Sequence, residues 1–189
     1  MYIALEGIDT SGKSTQIETL KKHFKEAIFT LEPGGSELGK RLRKILLEDN
    51  IALDSRAEML LFLADRAELI SKVIKPNIDK LIISDRSLIS GMAYAKDFNW
   101  EILKTFNLFA TQNILPNKVV LLELDERHLK ERLFAKGSDK IESRGLQYLL
   151  ELQERLKYII QNLAISCLII DSSLSKEQIT RQIIDFIQS

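Results

Sequence analysis

"GIDTSGKST", residues 7–15, follows the apolar run Tyr2–Leu5 and opens a stretch with helical character. It fits G-x-x-x-x-G-K-[ST], with Gly7, Gly12, Lys13 and Ser14 at the fixed positions. Ile8, Asp9, Thr10 and Ser11 fill the variable positions, and Thr15 closes the stretch. The glycines let consecutive backbone N–H groups curl around phosphate oxygens, and the helix N-terminus adds its positive dipole end. Lys13 is placed to reach the β and γ phosphates of a nucleotide, and the Ser14 hydroxyl to coordinate a Mg²⁺ ion that bridges them.

Outward from this loop, the β-branched runs "YIAL", "AIFT", "LIIS", "KVVLLEL" and "SCLII" alternate with longer amphipathic segments, the sequence form of βαβ units. The runs are apolar throughout rather than alternating, which implies a parallel sheet covered on both faces. We therefore expect a three-layer α/β fold of the P-loop NTPase type, a five-stranded parallel sheet with helices on both sides. Nothing in the composition divides the chain, so residues 1–189 read as one domain. The polar stretch "AKGSDKIESRG", residues 135–145, reads as a mobile lid segment within it.

The 27 basic residues balance 27 acidic ones, so no global field favours a nucleic-acid or membrane surface. The single cysteine, Cys167, lies in the apolar run "ISCLII" and reads as a small core hydrophobe in a reducing compartment. No apolar run approaches membrane-spanning length, and the N-terminus is not a basic region followed by a hydrophobic segment. The expected location is the cytoplasm.

Ligands of open parallel sheets bind at the carboxyl ends of the strands. After "AIFT" comes "LEPGGS", residues 31–36, where Gly34 and Gly35 permit close backbone approach and Glu32 adds an anion; an ordinary surface turn is the alternative. After "LIIS" comes "DRSLISGMAY", residues 85–94. Asp85 can hold Mg²⁺ through water and Arg86 can grip an oxyanion with both ends of its fork, unless the two form a buried structural pair. A long helical segment reads from Ser55 to Lys75; in its "LLFLADRAEL", residues 60–69, Phe62 and Arg66 stand four apart and share a helix face. They suit a stacked base and a held phosphate, although Phe62 alone would equally suit the core.

These stretches, in this order and spacing, resemble the thymidylate kinases, which phosphorylate dTMP with ATP, and the resemblance runs nearly end to end. It implies Mg²⁺-dependent transfer of the ATP γ-phosphoryl group to dTMP, with ADP and dTDP as products, in a homodimer packed through long helices. By position it places Asp9 near the acceptor's 3′-OH and the transfer site, and Phe62 on thymine. Arg66 and Arg86 would then hold the acceptor phosphate, Ser90 the edge of the base, and Tyr94 the sugar 2′ position. Glu32–Pro33 is a candidate cis peptide. The sequence departs from the usual bacterial pattern at Leu31, where Arg is common, at Ser87, where Tyr or His is common, and at Gly91 and Met92, which replace residues that are often polar.

Thr10 and Ser11 are neutral, so the cation that a loose phosphoryl-transfer transition state requires must come from elsewhere. The resemblance points to the lid, which offers Lys136, Lys140 and Arg144, with Lys140 the best positional match to the usual arginine. Lysine acts there as a point charge without a guanidinium fork. The catalytic set is therefore Lys13, Asp9, Asp85, Arg86 and Lys140. A monophosphate with its second pKa near ~6 is already largely a dianion at neutral pH, so no general base is needed, and His23 and His128 read as surface residues. A related kinase for another nucleoside monophosphate is the nearest alternative. A GTPase-like switch is weaker, because "NKVV", residues 117–120, lacks the aspartate of N-K-x-D and precedes a strand.

Overall fold

The structure, a computed structural model, describes residues 1–135 and 143–189, the side chains of residues 143 and 144 excepted. Among the described residues five strands are present, β1 (Tyr2–Gly7), β2 (Ile28–Leu31), β3 (Ile82–Asp85), β4 (Lys118–Glu123) and β5 (Ser166–Asp171). Eight α-helices connect and flank them: α1 (Lys13–His23), α2 (Glu37–Leu47), α3 (Ser55–Leu69), α4 (Leu88–Tyr94), α5 (Trp100–Thr111), α6 (Glu126–Ala135), α7 (Ser143–Asn162) and α8 (Lys176–Gln188).

The sheet runs β2-β3-β1-β4-β5 with every pair parallel. From β1 the chain goes first to the edge strand β2 and returns through β3 beside β1, then crosses to β4 and β5 on the other side. The strand order therefore reverses beside β1, which opens a crevice at its carboxyl end where open α/β sheets bind ligands. The P-loop follows β1 directly into that crevice.

The strand alternation divides two apolar layers. Ile3, Leu5, Val120 and Leu122 face α1 and α8, packing on Ile17, Leu20, Ile179 and Ile183. Ala4, Val119 and Leu121 face the opposite way, into the layer containing Met59, Leu88, Met92, Leu103 and Leu156. All six residues of β1 are buried, as the apolar run predicts for a central strand. Cover on both faces does not extend to the edges: Ser166, Ile169 and Asp171 of β5 are exposed, because an edge strand has a neighbour on one side only.

Two boundaries differ from expectation. The α-helix read through Lys75 ends at Leu69 and continues as a wider π turn over Ile70–Ile74, then a 3₁₀ turn over Lys75–Asn77. Pro76 sits in that last turn, where its missing N–H and its ring prevent α-helical continuation. The backbone of residues 143–145, read as part of the lid, already belongs to α7. Local capping closes other helices as their sequences require. Ser36, Asp54, Ser87, Asn99 and Ser175 each accept a backbone N–H at a helix start, and Ser175 forms a capping box with Gln178.

Candidate active site

The P-loop wraps the end of β1 in the conformation that its glycines permit. Gly7 has φ 148°, where a Cβ would lie 2.6 Å from Ser11 Oγ and 2.7 Å from the Leu122 carbonyl. Gly12 has φ 97° and starts α1. Thr10 also takes positive φ, 71°, without being glycine, a strained geometry of the kind that surrounding structure maintains at functional sites. Lys13 folds back over the loop and donates to the carbonyls of Gly7 at 2.7 Å and Ile8 at 3.0 Å. Burial, with Arg86 nearby, lowers its pKa to about 8 against the pull of Asp85, Glu6 and Asp9.

A cavity of 520 Å³ opens above this loop, lined by Asp9, Thr10, Gly12, Lys13, Ser14 and Thr15 and closed on the far side by Glu32, Arg43, Asp85 and Arg86. Asp85 leaves the end of β3 with a buried Oδ1 that has no hydrogen-bond partner among the described residues. Ser14 presents its hydroxyl from the first turn of α1. A hydroxyl and a carboxylate beside a phosphate cavity are oxygen donors of the type Mg²⁺ takes, with water and substrate phosphates completing its shell. Among the described residues, no group of three or more His, Cys, Asp or Glu could hold a metal by itself.

Arg86 also has positive φ, 71°. Its backbone N–H donates to Leu5 O at 2.9 Å and its carbonyl accepts from Ser84 Oγ at 2.7 Å, so both strands adjoining it hold its place. Its guanidinium reaches Asp9 at 2.7 Å, Gly7 O at 3.2 Å and Ser90 Oγ at 3.0 Å, and lies 5.4 Å from the Tyr94 ring centroid. Burial raises the Tyr94 hydroxyl above the usual tyrosine range.

Behind Arg86 a second cleft of 310 Å³ is lined by Glu32, Pro33, Arg43, Phe62, Ser90 and Tyr94, together with Asp9, Arg66 and Arg86. The Glu32–Pro33 peptide is cis. Arg66 lies at the inner wall, only 2% exposed, with Nε and Nη2 on Glu32 Oε2 at 2.8 and 2.7 Å and Nη1 on Asn107 Oδ1 at 2.6 Å. Gly91 makes this possible, since a Cβ there would collide with Arg66 Nη2. Phe62 and Arg66 do share one face, as their spacing predicts. Arg66, however, lines the cleft and not the P-loop cavity, whereas Arg43 and Arg86 line both.

Lys136 and Lys140 lie outside the described residues, as does the side chain of Arg144. His23 is exposed and His128 partly so, the latter beside Asp125.

Five residues were missed in the sequence. Arg43, whose Nη1 donates to Pro33 O at 2.8 Å, is hidden in the basic run "KRLRK", where only the phase of α2 selects it. Asp65 accepts the Gly34 N–H at 3.0 Å, holding the glycine turn against α3; burial pushes its pKa up to about 6. Asn107 supports Arg66 from α5. Arg132, from α6, donates to the carbonyls of Thr10, at 2.8 Å, and Ser172, joining the P-loop to the loop after β5. Glu6 alone had a readable signal, a carboxylate inside an otherwise apolar strand.

A thymidylate kinase family model matches residues 5–183. The chain is 57% identical to the thymidylate kinase of Wolinella succinogenes over 184 residues, covering 97% of this chain and 96% of that one. It is 51% identical to the thymidylate kinase of Campylobacter jejuni subsp. doylei over 192 residues, covering both completely. Its fold is similar to that of the crystal structure of thymidylate kinase from Ehrlichia chaffeensis, with TM-score 0.78 and 25% identity over 100% of this chain and 98% of that one.

Proposed function

This chain belongs to the thymidylate kinase family, and from that premise we propose that it transfers the γ-phosphoryl group of ATP to dTMP with Mg²⁺, yielding ADP and dTDP for dTTP synthesis. It is thus a nucleoside monophosphate kinase, a phosphotransferase acting on dTMP. The observation that carries the finer assignment is the wall shared by the two cavities. Asp9, Glu32, Arg43 and Arg86 border both, so a donor phosphate on the P-loop and an acceptor phosphate in the cleft would meet between the same cations.

In this reading the backbone of residues 7–15 and Lys13 hold the donor phosphates, and Ser14 and Asp85 hold Mg²⁺. Held by those two oxygens, Mg²⁺ would supply positive charge against the negative charge that develops during the transfer. The unpartnered Asp85 oxygen supports this role. Arg43 and Arg86 grip the acceptor phosphate. Arg66, assigned to that phosphate in the sequence, is better suited to the base. Of its five N–H groups, three are engaged by Glu32 and Asn107, and the two left can donate to a base carbonyl beside the Phe62 ring. Tyr94 crowds the sugar, and Asp9 borders the transfer site. The dianionic acceptor needs no base, so the task is to neutralise and align two anions and exclude water. The lid of the single 1–189 domain, about residues 135–145, supplies the remaining cation through Lys140.

The molecule also forms a homodimer on this reading. Ile102, Phe106 and Phe109 of α5, spaced four and three apart, and Leu60 of α3 are exposed apolar side chains, Phe109 at 83%. Such a face on packed helices suits a second copy, and Phe109→Glu should convert a dimer to a monomer in light scattering. Among the described residues no helix is long and apolar enough to cross a membrane. The cytoplasm is the proposed location, supported by the free, partly buried Cys167, whose thiol burial pushes up to about 11.

The test is ADP release with ATP and Mg²⁺ when dTMP, dUMP, dCMP, dGMP and ribothymidine monophosphate are supplied separately. Turnover confined to dTMP, with weak use of dUMP, is expected. Equal turnover with dCMP or dGMP would overturn the base assignment, and no stimulation by any acceptor would overturn the cleft.

A further inference from the structure

Glu6 is fully buried at the end of β1, immediately before the glycine that opens the P-loop. Each of its carboxylate oxygens meets a hydroxyl: Ser87 Oγ donates to Oε1 at 2.7 Å and Ser90 Oγ donates to Oε2 at 2.5 Å. A guanidinium can only donate and a carboxylate can only accept, and a serine hydroxyl between them has one hydrogen to give, which sets the direction of the network. Ser90 gives its hydrogen to Glu6 and accepts from Arg86 Nη1, so the donors run from Arg86 through Ser90 to Glu6. Ser87 gives its hydrogen to the other oxygen and accepts the Ile89 N–H, capping α4. The two serines thus stabilise the same buried anion, but only one of them is connected to the guanidinium at the transfer site.

The other attachments of the Arg86 head are weaker or exposed. Its ion pair is with Asp9, whose side chain is 68% exposed, and its contact with Gly7 O is 3.2 Å long. The arm through Ser90 is the one that continues to a buried carboxylate. Because the Ser90 hydrogen is already committed, that residue cannot donate to a base carbonyl while the network stands, and it is only 4% exposed.

We propose that Glu6 is a positioning residue for phosphoryl transfer, holding the Arg86 guanidinium toward the acceptor phosphate through the hydroxyl of Ser90, so that Ser90 is a link in this chain and not a donor to the base. The proposal rests on the kinase reading above. It assigns unequal work to two serines that look equivalent from Glu6.

The experiment compares Ser90→Ala, Ser87→Ala, Glu6→Gln and the Glu6→Gln/Ser90→Ala double variant by KM for dTMP, KM for ATP, kcat and thermal midpoint. Ser90→Ala should reduce kcat/KM for dTMP about tenfold and leave KM for ATP within twofold. Ser87→Ala should lower the thermal midpoint at least as much, through loss of the α4 cap, while changing kcat/KM for dTMP less than threefold. The double variant should be no more than twofold worse than the worse single, because both changes break one chain. Equal kinetic losses in the two serine variants, multiplicative losses in the double variant, or a parallel rise in KM for ATP would each overturn the proposal. The serine pair decides the matter even if Glu6→Gln fails to fold. Wild-type turnover of dTMP separates the two levels: its absence would refute the kinase reading, whereas its presence with equal serine variants would refute this inference alone.

Discussion

The donor half and the acceptor half of this site are built by different means. The donor cradle is nine consecutive residues whose useful atoms are mostly backbone N–H groups, shaped by Gly7, Gly12 and the start of α1. The proposed acceptor cleft draws on Asp9 of the P-loop, the loop after β2, α2, α3, the β3 end, α4 and, behind Arg66, α5, and is built of side chains that lock one another in place. Backbone recognition tolerates neighbours of many kinds, because the groups that bind exist in every residue. A cleft of interlocked side chains depends on each partner being present and on each gap being left open.

The comparison predicts that a single change in the cradle has the larger chemical effect and spares the fold. Lys13→Ala should lower kcat by about 10²–10³, the usual scale for loss of one preorganised electrostatic group, with the thermal midpoint nearly unchanged. A large loss of stability instead would show that the cradle is as interlocked as the cleft. Rapid-quench or coupled assays at saturating substrates measure it.

In the cleft, Gly91→Ala places a methyl group where Arg66 Nη2 now lies. The expected result is a rise of about tenfold in KM for dTMP at constant KM for ATP, measured by varying each substrate in turn. An unchanged KM would mean that Arg66 has freedom the buried Glu32 and Asn107 contacts do not suggest.

The two halves should also answer to pH differently. The Lys13 pKa, lowered to about 8, means that its charge is present below that pH and lost above it, while bound phosphates favour the charged form. ATP affinity should therefore fall as pH rises beyond about 8, by up to about tenfold per unit. Lys13→Arg should remove that fall, whatever it does to rate. Calorimetric titration at pH 7, 8 and 9 would show it, and a flat profile in the wild type would count against the lowered pKa.

The smallest effect belongs to Asp65, whose pKa of about 6 in the fold is above its ordinary value of 3.8. The folded state then binds more protons than the unfolded state between these values, so this group's contribution is full below about pH 4 and is lost as pH rises through about 6. Asp65→Asn keeps an acceptor for the Gly34 N–H and removes that loss. It should gain about 1 kcal/mol over wild type on passing from pH 5 to pH 7, some ~2–4 °C in thermal midpoint for a chain of this size. An equal pH dependence in both proteins would assign the slope to other carboxylates.

The same division explains what could be read early. The five strands, the parallel sheet and the P-loop all rest on local patterns, and Arg86 and Asp85 were singled out because strand ends in such sheets are where ligands sit; both line the cavity above the P-loop. Arg43 was hidden because three other basic residues of the same run, Lys40, Arg41 and Lys44, carry the same local character, and Asn107 because an asparagine on a helix announces nothing. The edge exposure of β5 escaped because an apolar run reads alike in a central and an outer strand; only the strand order distinguishes them. Arg66 is proposed for the base rather than the phosphate for a related reason. Its position on the helix face follows from spacing, but its direction is imposed by Glu32 from another strand's loop and Asn107 from another helix.

By itself, then, the sequence determined the fold class and the P-loop, and supplied the charged residues proposed for transfer, since these depend on the period of apolar residues and on short contiguous motifs. The tertiary structure alone decided which of those charges are neutralised by burial and which face the cavities. It alone coupled Glu6 to Arg86 through Ser90, because hydrogen-bond direction and desolvation are properties of groups brought together from distant parts of the chain.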